Sequence, residues 1–143
     1  TKVLAVKHLA DGPIPIIKDV FELQYLENRG AAFGLLQDQR VYFYFSMLLI
    51  TVLVIWFYLK VPMTKKYLPL RICAVFILSG GLGNFIDRVR LNYVVDFFYF
   101  ELIDFPIFNV ADIYVTCSAF ALIALGLFYY KDEDLDFLSL KEK

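Results

Sequence analysis

Three long stretches without a charge divide the chain: 41–59, 72–86 and 113–130, of 19, 15 and 18 residues. As a helix the first is about 28 Å long, close to a hydrocarbon core of roughly 30 Å. The middle stretch crosses with help from its flanks, so spanning helices are predicted over 41–59, 72–88 and 112–130. Backbone polar groups in lipid must be satisfied within the segment, which makes these spans helical. Tyr42, Tyr44, Trp56 and Tyr58 lie near the ends of the first span, where aromatic belts form. Lys60, Lys65, Lys66 and Arg71 crowd the short loop 60–71, and that basic density marks the cytoplasmic side. Residues 1–40 and 89–111 then lie outside, and the acidic tail 131–143 lies inside.

The outer segments have different patterns. Loop punctuation falls at Asp11-Gly12-Pro13 and Pro15. From Val20, Phe21, Leu23 and Tyr25 alternate with Glu22 and Gln24, a period of two that predicts a strand. It runs into Asn28-Arg29-Gly30-Ala31-Ala32-Phe33-Gly34, which suits close approach of backbone to backbone or ligand, and equally a plain turn. Residues 89–111, with Phe97, Phe98, Tyr99, Phe100, Phe105 and Phe108, are expected to form a loop along the membrane surface. Residues 97–108 of it are expected to close over a bound substrate and exclude water. Gly80, Gly81 and Gly83 would each cost an isolated helix about 1 kcal/mol relative to Ala. In a bundle they allow helices to pack closely.

Composition narrows the class. A chain of 143 residues suits a single domain, and 60% hydrophobic against 20% charged residues points to a polytopic membrane protein. A net charge of −1 with no basic stripe excludes a nucleic-acid partner. Cys73 and Cys117 fall inside apolar runs and read as small buried hydrophobes. With His8 the only histidine, neither a His-based metal centre nor a His-dependent triad is expected.

The chemistry concentrates between Ser79 and Asp112, where Asn84, Asp87, Arg88, Asp96, Asn109 and Asp112 stand among apolar residues at the edge of two spans. Ionisable groups there are costly to desolvate and mark a functional site. Asn84, Asp87 and Arg88 share a helix face. Asp87 and Arg88 are expected to neutralise each other or nearby partners, and Asn84 and Arg88 to grip substrate carbonyls or simply end the helix. Asn109 and Asp112 have capping-box spacing, and the helix dipole favours a carboxylate there. Asp96 has no local cap or charge pair to explain it. Two carboxylates brought together in a dry setting share one proton, leaving an acid and a base able to hydrolyse a peptide bond.

These residues leave an aspartic protease and a small proton-coupled transporter or accessory subunit close together. A scaffold whose polar groups only cap helices is a third reading. A relay needs acids at mid-membrane depth, whereas these cluster at one outer edge.

Gly83-Asn84-Phe85-Ile86-Asp87-Arg88, Val94-Val95-Asp96-Phe97 and Phe108-Asn109-Val110-Ala111-Asp112, preceded by Asn28-Arg29-Gly30-Ala31-Ala32-Phe33, resemble the bacterial lipoprotein signal peptidase family, signal peptidase II. The resemblance implies a helical-bundle membrane protein of four spanning helices with a small extracytoplasmic β-sheet, to which 20–33 contributes. It implies an intramembrane aspartic endopeptidase of the bacterial cytoplasmic membrane, acting on its extracytoplasmic side. Such an enzyme cuts prolipoproteins just before a diacylglyceryl-modified cysteine. Asp96 and Asp112 match the catalytic aspartates; Asn28, Gly30, Asn84, Asp87, Arg88 and Asn109 match substrate-side and scaffold positions. Neither metal nor organic cofactor is implied, and the partners are the lipid-modified substrate and membrane lipid, with the enzyme acting as a monomer. Three spans are counted here against the family's four. Thr1-Lys2 looks like the end of the Asp-x-x-Ser/Thr-Lys motif that closes the family's first helix, so a further helix of about 20 residues is expected upstream.

Overall fold

A computed structural model describes residues 1–30 and 39–138. Among these residues are four α-helices, α1 (Lys2–His8), α2 (Arg40–Lys60), α3 (Leu68–Leu91) and α4 (Val110–Phe128), and one sheet of β1 (Ile14–Ile17), β2 (Phe21–Asn28), β3 (Val94–Phe100) and β4 (Phe105–Phe108). Helices α2, α3 and α4 are long and apolar enough to cross a membrane. Their many exposed Leu, Ile, Val and Phe side chains suit a lipid environment. The fold is therefore a helical membrane bundle carrying a small β-sheet. Ala31, Ala32, Phe33 and Gly34 of the small-residue stretch lie outside the described residues.

The sheet is antiparallel in the order β1-β2-β3-β4, with α2 and α3 falling between β2 and β3 along the chain. Residues 94–108, expected as a surface loop, are instead two paired strands. β3 is hydrogen-bonded to β2 on one edge and β4 on the other, with Leu26 opposite Asp96 and Phe98 opposite Phe108. A strand held on both edges and packed below cannot swing as a lid. Only the turn between the strands, capped by Asp104 at φ 46° and by Tyr99 Oη donating to Asp104 Oδ1 at 2.8 Å, keeps the form of a loop. The aromatic density serves cross-strand packing: Phe98 and Phe100 both meet Phe108, with ring centroids 5.6 and 5.9 Å apart.

Underneath, α1 buries Ala5 and, just past its end, Leu9 against Val95 and Phe97 of β3. Between α3 and α4 the glycines matter. A Cβ on Gly80 would strike the Ala111 carbonyl oxygen and lie 2.8 Å from Val115 Cγ2, while one on Gly83 would lie 3.5 Å from Ala111 Cβ. The absence of side chains there lets the start of α4 lie directly against α3. Cys73 is buried, but Cys117 lies exposed on α4, where the apolar run faces outward rather than into the bundle. At the far end of the helices, Tyr67 and Tyr130 stack at 5.5 Å and Tyr130 Oη donates to the Lys66 carbonyl at 2.7 Å. Lys66 pairs with Asp134 at 2.5 Å, so the segment after α4 clasps the basic loop.

Candidate active site

Period-two alternation places Asp96. With Val95 and Phe97 turned onto α1, Asp96 points to the opposite face of β3, toward the outer ends of α3 and α4. Its residue is 1% exposed. Oδ1 accepts from Asn109 Nδ2 at 2.5 Å and Oδ2 from Asn28 Nδ2 at 2.9 Å. Burial pushes its carboxyl up to about 6, opposed by the two amide donors, with the neighbouring Asp112 charge raising it further and Lys2 lowering it.

Asp112 is set by the start of α4. Asn109 is the N-cap: its Oδ1 accepts from Ala111 N at 2.7 Å and Asp112 N at 3.2 Å. In return, Asp112 Oδ2 accepts from Asn109 N at 3.0 Å, completing a capping box. The cap also fixes the amide's orientation, because its oxygen is committed to the helix. Nδ2 is then aimed at Asp96 and, at 3.1 Å, at Asn84 Oδ1. Asn84 in turn donates through Nδ2 to Asp112 Oδ1 at 2.7 Å. Two asparagines thus join the two carboxyl groups, and every oxygen of both carboxyls has a donor.

Lys2 closes the network from below. Its Nζ donates to Asn84 Oδ1 at 2.7 Å and to Asp87 Oδ2 at 2.8 Å. The same Asp87 oxygen accepts from Val95 N at 3.0 Å, so one carboxylate joins α1, α3 and β3. Of the two expectations for Asp87, the pairing with a nearby partner is the one that forms, with Lys2 rather than Arg88. Adjacent helical residues point about 100° apart and do not face one another. Arg88 instead donates through Nη2 to the Gly30 carbonyl at 2.9 Å, and Gly30 N donates to Asn28 Oδ1 at 3.0 Å.

All eight residues singled out in the sequence therefore lie in one hydrogen-bonded assembly. Asn28, Asn84, Asn109, Asp96 and Asp112 form its centre, Asp87 braces it, and Gly30 and Arg88 border it. Asp96, without a local explanation in the sequence, is accounted for by two asparagines from β2 and the head of α4. Lys2 is the member the sequence reading did not place at the site. It was visible only as the last residue of a motif, since a contact spanning more than eighty positions leaves no periodic trace.

Chemically, the centre of the assembly is two carboxyl groups, one buried and one half-buried, held by amide donors, with the Lys2–Asp87 pair and the Arg88 guanidinium beside them.

Comparisons with known proteins identify the family. The family model described as signal peptidase (SPase) II matches residues 1–128. A lipoprotein signal peptidase of Clostridium tetani is 44% identical over 86% of this chain and 80% of its own length. One from Streptococcus pyogenes is 42% identical over 94% of this chain and 86% of its own. Among solved structures, a bacterial membrane enzyme determined in meso at 2.3 Å superposes with a TM-score of 0.77 and 26% identity, over 99% of this chain and 86% of that one. A second, at 1.9 Å, gives 0.73 over 91% of this chain and 86% of its own. The chain, a multi-pass membrane protein, belongs to the signal peptidase II family.

Proposed function

We propose that this protein is an aspartic endopeptidase that removes the signal peptide from prolipoproteins, cutting just before a diacylglyceryl-modified cysteine. The observation that carries the reading is the Asp96–Asn109–Asn84–Asp112 chain, which brings two carboxyl groups from different elements to one place. Asp96, almost fully buried and with its carboxyl raised to about 6, is the acid that carries the proton. Asp112, half-buried and so less enclosed than Asp96, is the base that meets water.

Asp112 takes a proton from a water whose oxygen adds to the scissile carbonyl carbon, while Asp96 gives its proton to the carbonyl oxygen. As the tetrahedral species collapses, the carbon–nitrogen bond breaks and the departing nitrogen receives the proton from Asp112. Asp96 regains one from a hydroxyl of the collapsing species, and both acids return to their starting state. Asn28 and Asn109 keep Asp96 fixed throughout, while Asn84 does the same for Asp112. Lys2 offsets part of the negative charge.

The site lies at the end of the bundle opposite Lys60, Lys65, Lys66 and Arg71. If that basic end is cytoplasmic, the acids face the extracytoplasmic side of the bacterial inner membrane. The substrate's lipid anchor would then lie in the outer leaflet, beside α3 and α4. The protein works as a single copy, since both acids come from one chain. A proton-relay transporter is less well supported, because the acids cluster at one end and no second acid stands at mid-depth on α2, α3 or α4.

The test is cleavage of a purified diacylglyceryl-modified prolipoprotein in lipid, followed by gel shift. The wild type should cut, and Asp96→Asn and Asp112→Asn should each reduce turnover by several orders of magnitude while melting as cooperatively as the wild type. Turnover retained by either variant would remove that residue from the pair.

A further inference from the structure

Arg88 is a guanidinium beside three aspartates, yet among the described residues no carboxylate lies within ion-pair distance of it. It is held in three other ways, the weakest a long bond from Nη1 to the Asn84 carbonyl at 3.5 Å. Nη2 donates to the Gly30 carbonyl at 2.9 Å, and the guanidinium carbon lies 4.3 Å from the ring centroid of Phe43 on α2. That distance is well inside the range at which a cation is drawn to an aromatic face, and partial burial strengthens the attraction. Phe43 is half-buried, and Ser46 Oγ bonds its carbonyl at 3.1 Å one turn later. The void that Asn28, Phe43 and Arg88 help to line measures about 10 Å³, room for roughly one water, so Arg88 has little slack.

The consequences run along the chain of bonds. Arg88 fixes the Gly30 carbonyl. Gly30 N fixes Asn28 Oδ1 at 3.0 Å, which leaves Asn28 Nδ2 aimed at Asp96 Oδ2 at 2.9 Å. Every link from the ring to the acid is a direct contact.

We infer that Phe43 is a positioning residue for the proposed peptidase reaction: its ring seats Arg88 against Gly30 and so keeps the Asn28 amide on Asp96. The inference rests on the protease reading above and goes beyond it, since Phe43 stands outside every motif that suggested that reading. Phe43 touches neither acid and acts only through Arg88.

The experiment replaces Phe43 in the full chain by para-fluoro-, difluoro- and trifluorophenylalanine, which keep the ring's shape while draining its π-face. Phe43→Leu, Phe43→Tyr, Arg88→Met and Phe43→Leu/Arg88→Met accompany it. Cleavage of the diacylglyceryl-modified prolipoprotein is read as kcat, KM and the pH profile of kcat/KM. The expected result is a stepwise fall in kcat with fluorination, reaching on the order of ten-fold, with KM nearly unchanged. Phe43→Tyr should restore the rate. The double variant should be no slower than Arg88→Met alone, because both changes break one chain. Weakening the Asn28 bond removes a donor that favours the ionised Asp96, so the alkaline limb should move upward. A flat fluorination series, or additive effects of Phe43→Leu and Arg88→Met, would overturn the inference. Run beside these, an inactive wild type overturns the protease reading itself. An active, Asp112-dependent wild type with a flat series overturns the role of Phe43 alone.

Discussion

Replacing Gly80 by alanine tests whether the two-asparagine bridge depends on the close approach of α3 and α4. The added Cβ would lie 2.8 Å from Val115 Cγ2 and 3.3 Å from Tyr114 Cβ, and it would collide with the Ala111 carbonyl oxygen. Carbon atoms rest at about 3.5 Å or more, so the helices must separate by roughly 0.7 Å or bend. Overpacking of this kind costs about 1–3 kcal/mol, partly offset by alanine's better helix propensity of about 1 kcal/mol. Stability should therefore fall only modestly. Activity should fall much more. The Asn84–Asp112 bond, 2.7 Å now, spans the same helix pair one turn away and would stretch beyond about 3.2 Å. Misplacing a reacting group by about 1 Å can cost on the order of 100-fold. The assay is prolipoprotein cleavage beside a melting curve, with Gly126→Ala as control. A Cβ on Gly126 meets nothing within 4 Å, so that variant should keep its rate and gain about 0.5–1 kcal/mol. A Gly80→Ala enzyme within two-fold of wild-type rate would refute the reasoning that close packing sets the bridge.

The remaining predictions concern protons, charge and the far end of the bundle. Asp96's carboxyl is raised from 3.8 to about 6, so the folded state binds the extra proton between those values. Stability from this group is therefore present below about pH 4 and is lost as pH rises through about 6, a decline of about 3 kcal/mol that Asp96→Asn should not show in melts from pH 4 to 7. Equal slopes in the two proteins would contradict the burial argument. Lys2→Met should leave Asp87 and Asn84 short of a donor, lowering both melting temperature and cleavage rate, whereas Lys2→Arg should recover part of each. Tyr130→Phe removes the bond to the Lys66 carbonyl and should cost about 0.5–1.5 kcal/mol in unfolding, with kcat unchanged because the site is at the other end.

What was legible in the sequence was what lipid and local spacing dictate. The spans showed because hydrocarbon tolerates so few charges, and the Asn109/Asp112 box showed because capping is a three-residue matter. β2 showed its period of two because one face carries polar side chains. β3 did not: Val94, Val95, Asp96 and Phe97 are all buried, so no alternation remained and the run resembled an aromatic loop. Helix α1, seven residues long, has too few turns to display a periodic face. The sequence leaves Asp87 a choice between adjacent Arg88 and a nearby partner, and helix geometry settles it on Lys2. Motif resemblance supplied the grouping of the seven polar residues and Gly30, which no spacing rule connects across strands and helices.

Asn109 carries two duties on one amide group. Its oxygen ends a helix, and its nitrogen holds Asp96 directly and reaches Asp112 by way of Asn84. Aspartate, serine and threonine all cap helices well, but aspartate has no hydrogen to give when ionised and a hydroxyl has only one. The position is therefore closed to the substitutions that helix capping alone would accept. The coupling also makes enzyme turnover a sensitive gauge of fraying at the head of α4: when that first turn opens, the Asn109 amide is no longer committed by the cap, and the link between the acids loosens with it.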